Sequence, residues 1–288
     1  VSVLPKFNSV RRSHLFLYIK EHTVSKIDLG VRNQDVIPEI LAPELFADNP
    51  DAQFAVGIIA LGSEVLPGAT EVYRGYGLLR ARVYADQTHM IDPSQVKADG
   101  TETDEDDARS VHFAIVENAT DAELQRVQRV VGSLRLILKD DKNPQALPVE
   151  EFFAEQFTRN PAPVPSTEAS RFICRHEDIR TQNWLKWPLF QGAVAYIMAH
   201  GIGETYGVVE PPVEASLQKS GLKITRVADP VYIEEYAAKN LAFEVDTRDL
   251  ARTLNLSPSD LESMRKAEGR FTFPVLPEQG AKPKQVVA

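Results

Sequence analysis

Two charged residues stand in a segment that otherwise reads as the inside of a sheet. They are Glu168 and Arg171 in the stretch EASRFIC, residues 168–174. Phe172, Ile173 and Cys174 favour burial in a strand, and the proline-rich run NPAPVPST before them keeps that chain out of a helix. A carboxylate in a partly desolvated place has a raised pKa and can serve as a general base, with a guanidinium to orient it. Geometry opposes the pairing. Side chains alternate along a regular strand, so Glu168 points with Ser170 and Phe172, while Arg171 points with Ala169 and Ile173. A β-bulge adds one residue, flips the alternation, and is common beside active sites. A shared role for Glu168 and Arg171 therefore predicts a bulge near residues 169–170.

Other charges also fall where periodicity predicts burial. Arg80 lies in LLRARVY and Arg135 interrupts the apolar run VGSLRLIL. Buried charges are costly unless paired, and the acidic segment 92–110 offers partners in Asp104 and Asp107. His112 and His176 lack metal-ligand spacing with other His, Cys or carboxylate groups, so no metal site is expected. Cys174 reads as a small buried hydrophobe rather than a nucleophile.

These residues need a frame, and composition permits one. The chain has 288 residues, 43% of them hydrophobic, enough for a sizeable core. The formal net charge of -9 argues against a broad nucleic-acid footprint. One cysteine excludes an intramolecular disulfide framework and fits a reducing cytoplasm. The longest apolar stretches, such as FAVGIIAL at 54–61, are far too short to span a bilayer.

Patterning divides the chain into an N-terminal extension packed on the main body (1–69), an α/β domain (70–256) and a C-terminal tail (257–288). From Thr70, Val72, Tyr76, Leu79 and Val83 recur at helical spacing. Residues 92–110 read as a polar surface loop. VHFAIVEN and RVVGSLRLIL read as paired strands, and LPVEEFFAEQF as a short helix opened by Pro148. EASRFICR is the next strand. WLKWPLFQGAVAYIMAHG reads as a helix ended by Gly201, ETYGVVE as a strand, and PPVEASLQKSG as a helix ended by Gly221. LKITRVA and the first half of NLAFEVDTRDLARTL complete the strands, and its second half is a helix. This order predicts one sheet covered by helices on both faces.

Read in order, LLRARVYADQTHM, TDEDDARSVHF, VVGSLRLIL, LPVEEFF and EASRF resemble the acyl-homoserine-lactone (autoinducer) synthases and the related N-acyl amino acid synthases and exosortase-associated acyltransferases. The resemblance covers residues 70–250 and rests on five motifs in order rather than on one. It implies a GNAT-type acyltransferase fold with a central mixed sheet. By position, Arg80, Asp104, Asp107, Arg135, Glu168 and Arg171 match the family's charged network beside the acyl-transfer site, where they would also serve acceptor binding. Phe152 matches an aromatic after LPVE. Glu168 is the candidate base, with Arg171 and Arg135 as its catalytic partners. Phe152 and Phe172 are expected to line the acyl chain in a gap between two strands.

The resemblance implies amide formation, with a fatty acyl group passing from acyl carrier protein or acyl-CoA to a small amine such as an amino acid. No tightly bound cofactor is implied. The glycine-rich phosphate loop of acetyl-CoA-dependent relatives has no counterpart in RHEDIRTQNWLKWP, which fits a carrier-protein donor. Carrier proteins are acidic, so Arg175, Arg180 and Lys186 are the expected docking patch. Met90 stands where autoinducer synthases usually carry a Trp in the adenosylmethionine pocket, which argues against that acceptor. A true autoinducer synthase is the first alternative, and an acyl-binding protein without turnover is the second.

Overall fold

The computed structural model describes residues 53–256 except 89, 121–125, 220, 237 and 255, together with residues 273–275. The expected N-terminal extension therefore lies mostly, and the C-terminal tail mostly, outside the described residues. Strand β1 (Phe54–Leu61) and the two-residue β2 (Glu64–Val65) precede helix α1 (Thr70–Ala81). The sheet thus begins at Phe54, ahead of the boundary expected at residue 70. Val72, Tyr76 and Leu79 form the buried face of α1, as their spacing predicts. A π-helical stretch, Arg82–Gln87, continues it.

The long hairpin of β3 (Ser110–Thr120) and β4 (Arg126–Lys139) follows. The expected single helix after Pro148 is two short ones, α2 (Pro148–Phe152) and α3 (Ala154–Arg159), separated at Phe153, whose ψ of 40° leaves the helical region. Then come β5 (Ser166–Cys174), α4 (Ile179–Ala199), β6 (Glu204–Val209) and α5 (Pro211–Lys219). Helix α4 starts five residues before Trp184 because the Asp178 carboxylate accepts from the Thr181 amide and caps it. Gly201 (φ 68°) and Gly221 (φ 87°) follow α4 and α5 in the left-handed conformation that ends helices. The strand expected over 222–228 is only β7 (Thr225–Arg226). The chain then forms β8 (Val231–Ile233), β9 (Ala238–Asp246), α6 (Thr247–Thr253) and β10 (Phe273–Val275).

The sheet runs β10-β1-β3-β4-β5-β6-β9-β7, with β2 paired to β1 and β8 to β9. Every pairing is antiparallel except β5 with β6. Helices α4 and α5 cover one face, packing Leu185, Leu189, Val213 and Leu217 onto the strands. Helix α1 covers the other with Val72, Tyr76 and Leu79. Each such side chain contributes about 1.5–3 kcal/mol by leaving water. This is the mixed α/β architecture, helices on both faces, that the motif order implies.

The parallel pairing is short. It joins Ser166 to Glu204, Thr167 to Thr205 and Glu168 to Tyr206, and no further. Beyond it β5 continues to Cys174 and β6 to Val209 without pairing to each other. The two strands part immediately after Glu168.

Candidate active site

The bulge is present in β5. Ser133 of β4 pairs with Ile173, and Arg135 pairs with Ser170, so Leu134 alone faces both Arg171 and Phe172. It lies one or two residues beyond the expected 169–170. Arg171 takes a φ of 53°, a left-handed conformation that costs an L residue about 1–3 kcal/mol and persists only where the surroundings enforce it. Alternation flips there. Ser170 Oγ accepts from Arg135 Nε at 2.9 Å on the α1 face. Arg171 also turns to that face, its guanidinium carbon 5.4 Å from the Tyr84 ring centroid. Phe172 is sent to the opposite face, where its ring stacks on Phe190 at 5.0 Å. Glu168, two residues before Ser170, shares the α1 face with Arg171.

The expected surface loop at 92–110 is corrected by burial: Glu102, Asp106 and Asp107 are 1%, 3% and 6% exposed. The loop folds inward because three fully buried guanidinium groups await it. Arg80 Nε donates to Glu102, and Arg80 Nη1 donates to Asp107 at 2.9 Å. Arg135 Nη1 donates to Asp104 and, at 2.7 Å, to Asp107. Arg171 Nη2 donates to Glu102 at 2.6 Å and to Asp104. Three arginines thus meet three carboxylates, a net charge of zero, which is how buried ions become tolerable. Asp104 and Asp107 also cap a 3-10 turn, each carboxylate accepting an amide of the other's segment. Burial works to raise the Asp107 carboxyl, but Arg80 and Arg135 outweigh it and hold the group well below the usual range.

Of the six residues matched to the network from sequence, Arg80, Asp104, Asp107, Arg135 and Arg171 are joined here, and Glu168 shares their face of the sheet. Glu102 is the member that sequence reasoning missed. Its signal was its spacing before Asp104 and Asp107, the pattern Glu-x-Asp-x-x-Asp. His112 is buried beneath the network. Its Nε2–H donates to the Asp107 carbonyl oxygen at 3.1 Å, so Nδ1 accepts from the Tyr76 hydroxyl at 3.2 Å. Burial lowers the His112 pKa to about 4.

Glu168 is 1% exposed, and its Oε2 accepts from the Val149 amide at 2.7 Å. That amide sits in the first turn of α2, which a second buried pair anchors. Lys139 Nζ donates to both Glu150 oxygens, at 2.7 and 2.9 Å, and to the Ala162 carbonyl at 2.9 Å. Glu150 in turn accepts from the Leu147 and Ala162 amides.

The remaining expected residues lie apart. Phe152 packs against Tyr236 at 5.2 Å on the side of α2 and α3, whereas Phe172 belongs to the α4 face. Arg175 and Lys186 are half-buried and Arg180 exposed, but Glu177 and Asp178 stand between the two arginines, so this patch is not uniformly basic. Lys186 Nζ lies 5.5 Å from the Trp187 ring. Met90 packs between the cores under α1 and under α2. Desolvation pushes the Cys174 thiol up, away from nucleophile behaviour. His176 is satisfied by Glu117 at 3.1 Å and by the Asp178 amide at 2.9 Å. Among the described residues no His, Cys, Asp and Glu side chains cluster as a metal site, and no helix is long and apolar enough to cross a membrane.

A mixed sheet that opens after one short parallel pairing, with a bulged strand and a buried charge network beside the opening, is the frame expected from the resemblance to acyltransferases. The family model for autoinducer synthases matches residues 70–253, and the chain belongs to that family, as an N-acyltransferase. Among solved structures, TofI in a ternary complex with an inhibitor and MTA is 22% identical, with a TM-score of 0.51, covering 72% of this chain and 98% of its own. BjaI, a CoA-dependent acyl-homoserine lactone synthase solved with SAM and isopentyl-CoA, is 22% identical with a TM-score of 0.46, covering 64% and 82%. FeeM, an N-acyl amino acid synthase from uncultured soil microbes, is 14% identical with a TM-score of 0.46, covering 71% and 95%. Comparison with curated proteins gives no match.

Proposed function

We propose that this enzyme transfers a fatty acyl group from a thioester, carried on acyl carrier protein or CoA, to the amine of a small acceptor such as an amino acid. The observation that carries the reading is the bulge. It turns Glu168, Ser170 and Arg171 to one face beside the point where β5 and β6 part. A thioester carbonyl lodged in that opening would lie within reach of an amine on the α1 face.

In this reading Glu168 takes a proton from the acceptor ammonium, directly or through water. The freed amine attacks the thioester carbonyl, the C–N bond forms, and the C–S bond breaks to release the thiolate, which takes up a proton. The Val149 amide fixes the plane of the Glu168 carboxylate. Arg135 holds Ser170, and Arg171 links the strand to Glu102 and Asp104. A positioned base of this kind is worth roughly 10²–10⁴ in rate. Arg175, Arg180 and Lys186 serve donor docking, and reversing their charges should weaken carrier-protein use without unfolding the chain.

A second reading is lactone formation from adenosylmethionine, favoured by the family match itself. Met90, where the family usually has Trp, favours the first. The deciding experiment offers carrier-protein and CoA thioesters with pooled amines and adenosylmethionine and reads product masses. An acyl amide without methylthioadenosine supports the first reading, and methylthioadenosine release supports the second. Bound acyl group with no product would contradict both.

A further inference from the structure

The Val149 amide that meets Glu168 lies in the first turn of α2, where an N–H has no acceptor within its own helix. Helix α2 has five residues, too few to stand by itself in water, so its register over Glu168 is set from outside. Leu147, Val149 and Phe153 pack with Ile137 and Tyr206 and hold α2 against the sheet. Apolar contact is non-directional, however, and does not aim an amide. The buried pair of Lys139 and Glu150 is directional. Lys139 is the last residue of β4, and its Nζ donates to both Glu150 oxygens and to the Ala162 carbonyl. Glu150 accepts from the Leu147 amide at 2.8 Å, where α2 opens, and from the Ala162 amide at 3.1 Å, where the chain returns toward β5. The pair thus ties the end of β4, the start of α2 and the entry to β5 at one point. A buried ion pair is often no more stabilising than well-packed apolar side chains of similar volume, so stability alone does not account for this one.

We propose that Lys139 and Glu150 are positioning residues for acyl transfer: their pair fixes the start of α2 and so keeps the Val149 amide aimed at the Glu168 carboxylate. The inference rests on Glu168 as the base and deepens that reading. The amide serves the base in two ways. It holds one carboxylate oxygen, which sets the plane of the group toward the acceptor. It also favours the ionised form, which burial disfavours, so that Glu168 has lost its proton before the ammonium arrives. Releasing α2 would loosen the attack geometry and move proton loss from Glu168 to higher pH.

The test uses the full chain carrying Lys139→Met with Glu150→Gln, which removes both charges at similar volume and leaves neither ion unpaired. Glu150→Asp is the second variant. It keeps both charges and draws the carboxylate back from the Leu147 amide. Transfer is followed by thiol release from acyl-carrier-protein and acyl-CoA donors, with the acceptor that the product screen above returns. Both variants should lower kcat roughly ten- to hundredfold, with a donor KM changed by less than about twofold. The acid limb of kcat/KM should move up by about 0.5–1 in pH, the worth of one hydrogen bond to the ionised carboxylate. In a Glu168→Gln background the double replacement should lower the residual rate by less than about threefold, because its effect passes through Glu168. Folded variants with the parent kcat and acid limb overturn the inference while acyl transfer stands. So does an equal rate loss in the Glu168→Gln background, which marks the pair as support for the fold alone. Parent-rate transfer by Glu168→Gln removes the base, and the inference falls with it. A screen that returns no acceptor overturns it together with the acyl-transfer reading.

Discussion

The buried Ser133 hydroxyl of β4 donates to the backbone carbonyl oxygen of Arg171 in β5 at 2.8 Å. That carbonyl belongs to the residue held at φ 53°, so one side-chain hydrogen bond helps secure the bulge on which the candidate site depends. Ser133→Ala leaves a buried carbonyl without this donor. Loss of about 1–3 kcal/mol in urea unfolding is expected, with a lower transfer rate. Ser133→Thr retains a hydroxyl and should lose less.

Glu102 bridges Arg80 and Arg171 from a position 1% exposed. Glu102→Gln keeps the shape and removes the charge, leaving three buried guanidinium groups against two carboxylates. Breaking a buried pair of this kind costs roughly 3–5 kcal/mol. Guanidinium-chloride unfolding should register that loss, and an unchanged midpoint would mean that the network is not coupled as described.

The acid limb of the stability profile should carry two separable contributions. The His112 pKa is depressed from its ordinary 6.5 to about 4 in the fold. Between those values the unfolded chain takes up a proton that the folded chain refuses, so stability present above pH 6.5 is lost as pH falls toward 4. The shift of 6.5 − 4 corresponds to about 3 kcal/mol. Asp107 is also depressed, so its contribution is present above its ordinary pKa and disappears only at still lower pH. Unfolding free energies of His112→Gln, measured from pH 7 to 4, should be flatter than those of the parent chain.

Local pattern made much of this legible. The spacing of Val72, Tyr76 and Leu79 located α1, and Gly201 and Gly221 marked the ends of α4 and α5. The conflict between strand alternation and a joint role for Glu168 and Arg171 required a bulge. Its position was off because Ser170 stays in register with Arg135, a cross-strand contact that sequence does not display. The same bulge explains why Phe172 and Phe152 lie on different faces. Strand β1 went unassigned because FAVGIIAL is buried on both faces and carries no alternation. The loop at 92–110 looked like surface because its burial is set by distant arginines, not by its own composition.

The proposed role of Glu168 is to remove the proton from the attacking amine. Its most direct test is the single-turnover rate of acyl transfer in Glu168→Gln, measured with a variant whose circular dichroism and unfolding midpoint match the parent. The expected result is a rate lower by roughly 10²–10⁴. A folded Glu168→Gln enzyme that transfers the acyl group at the parent rate would contradict the assignment.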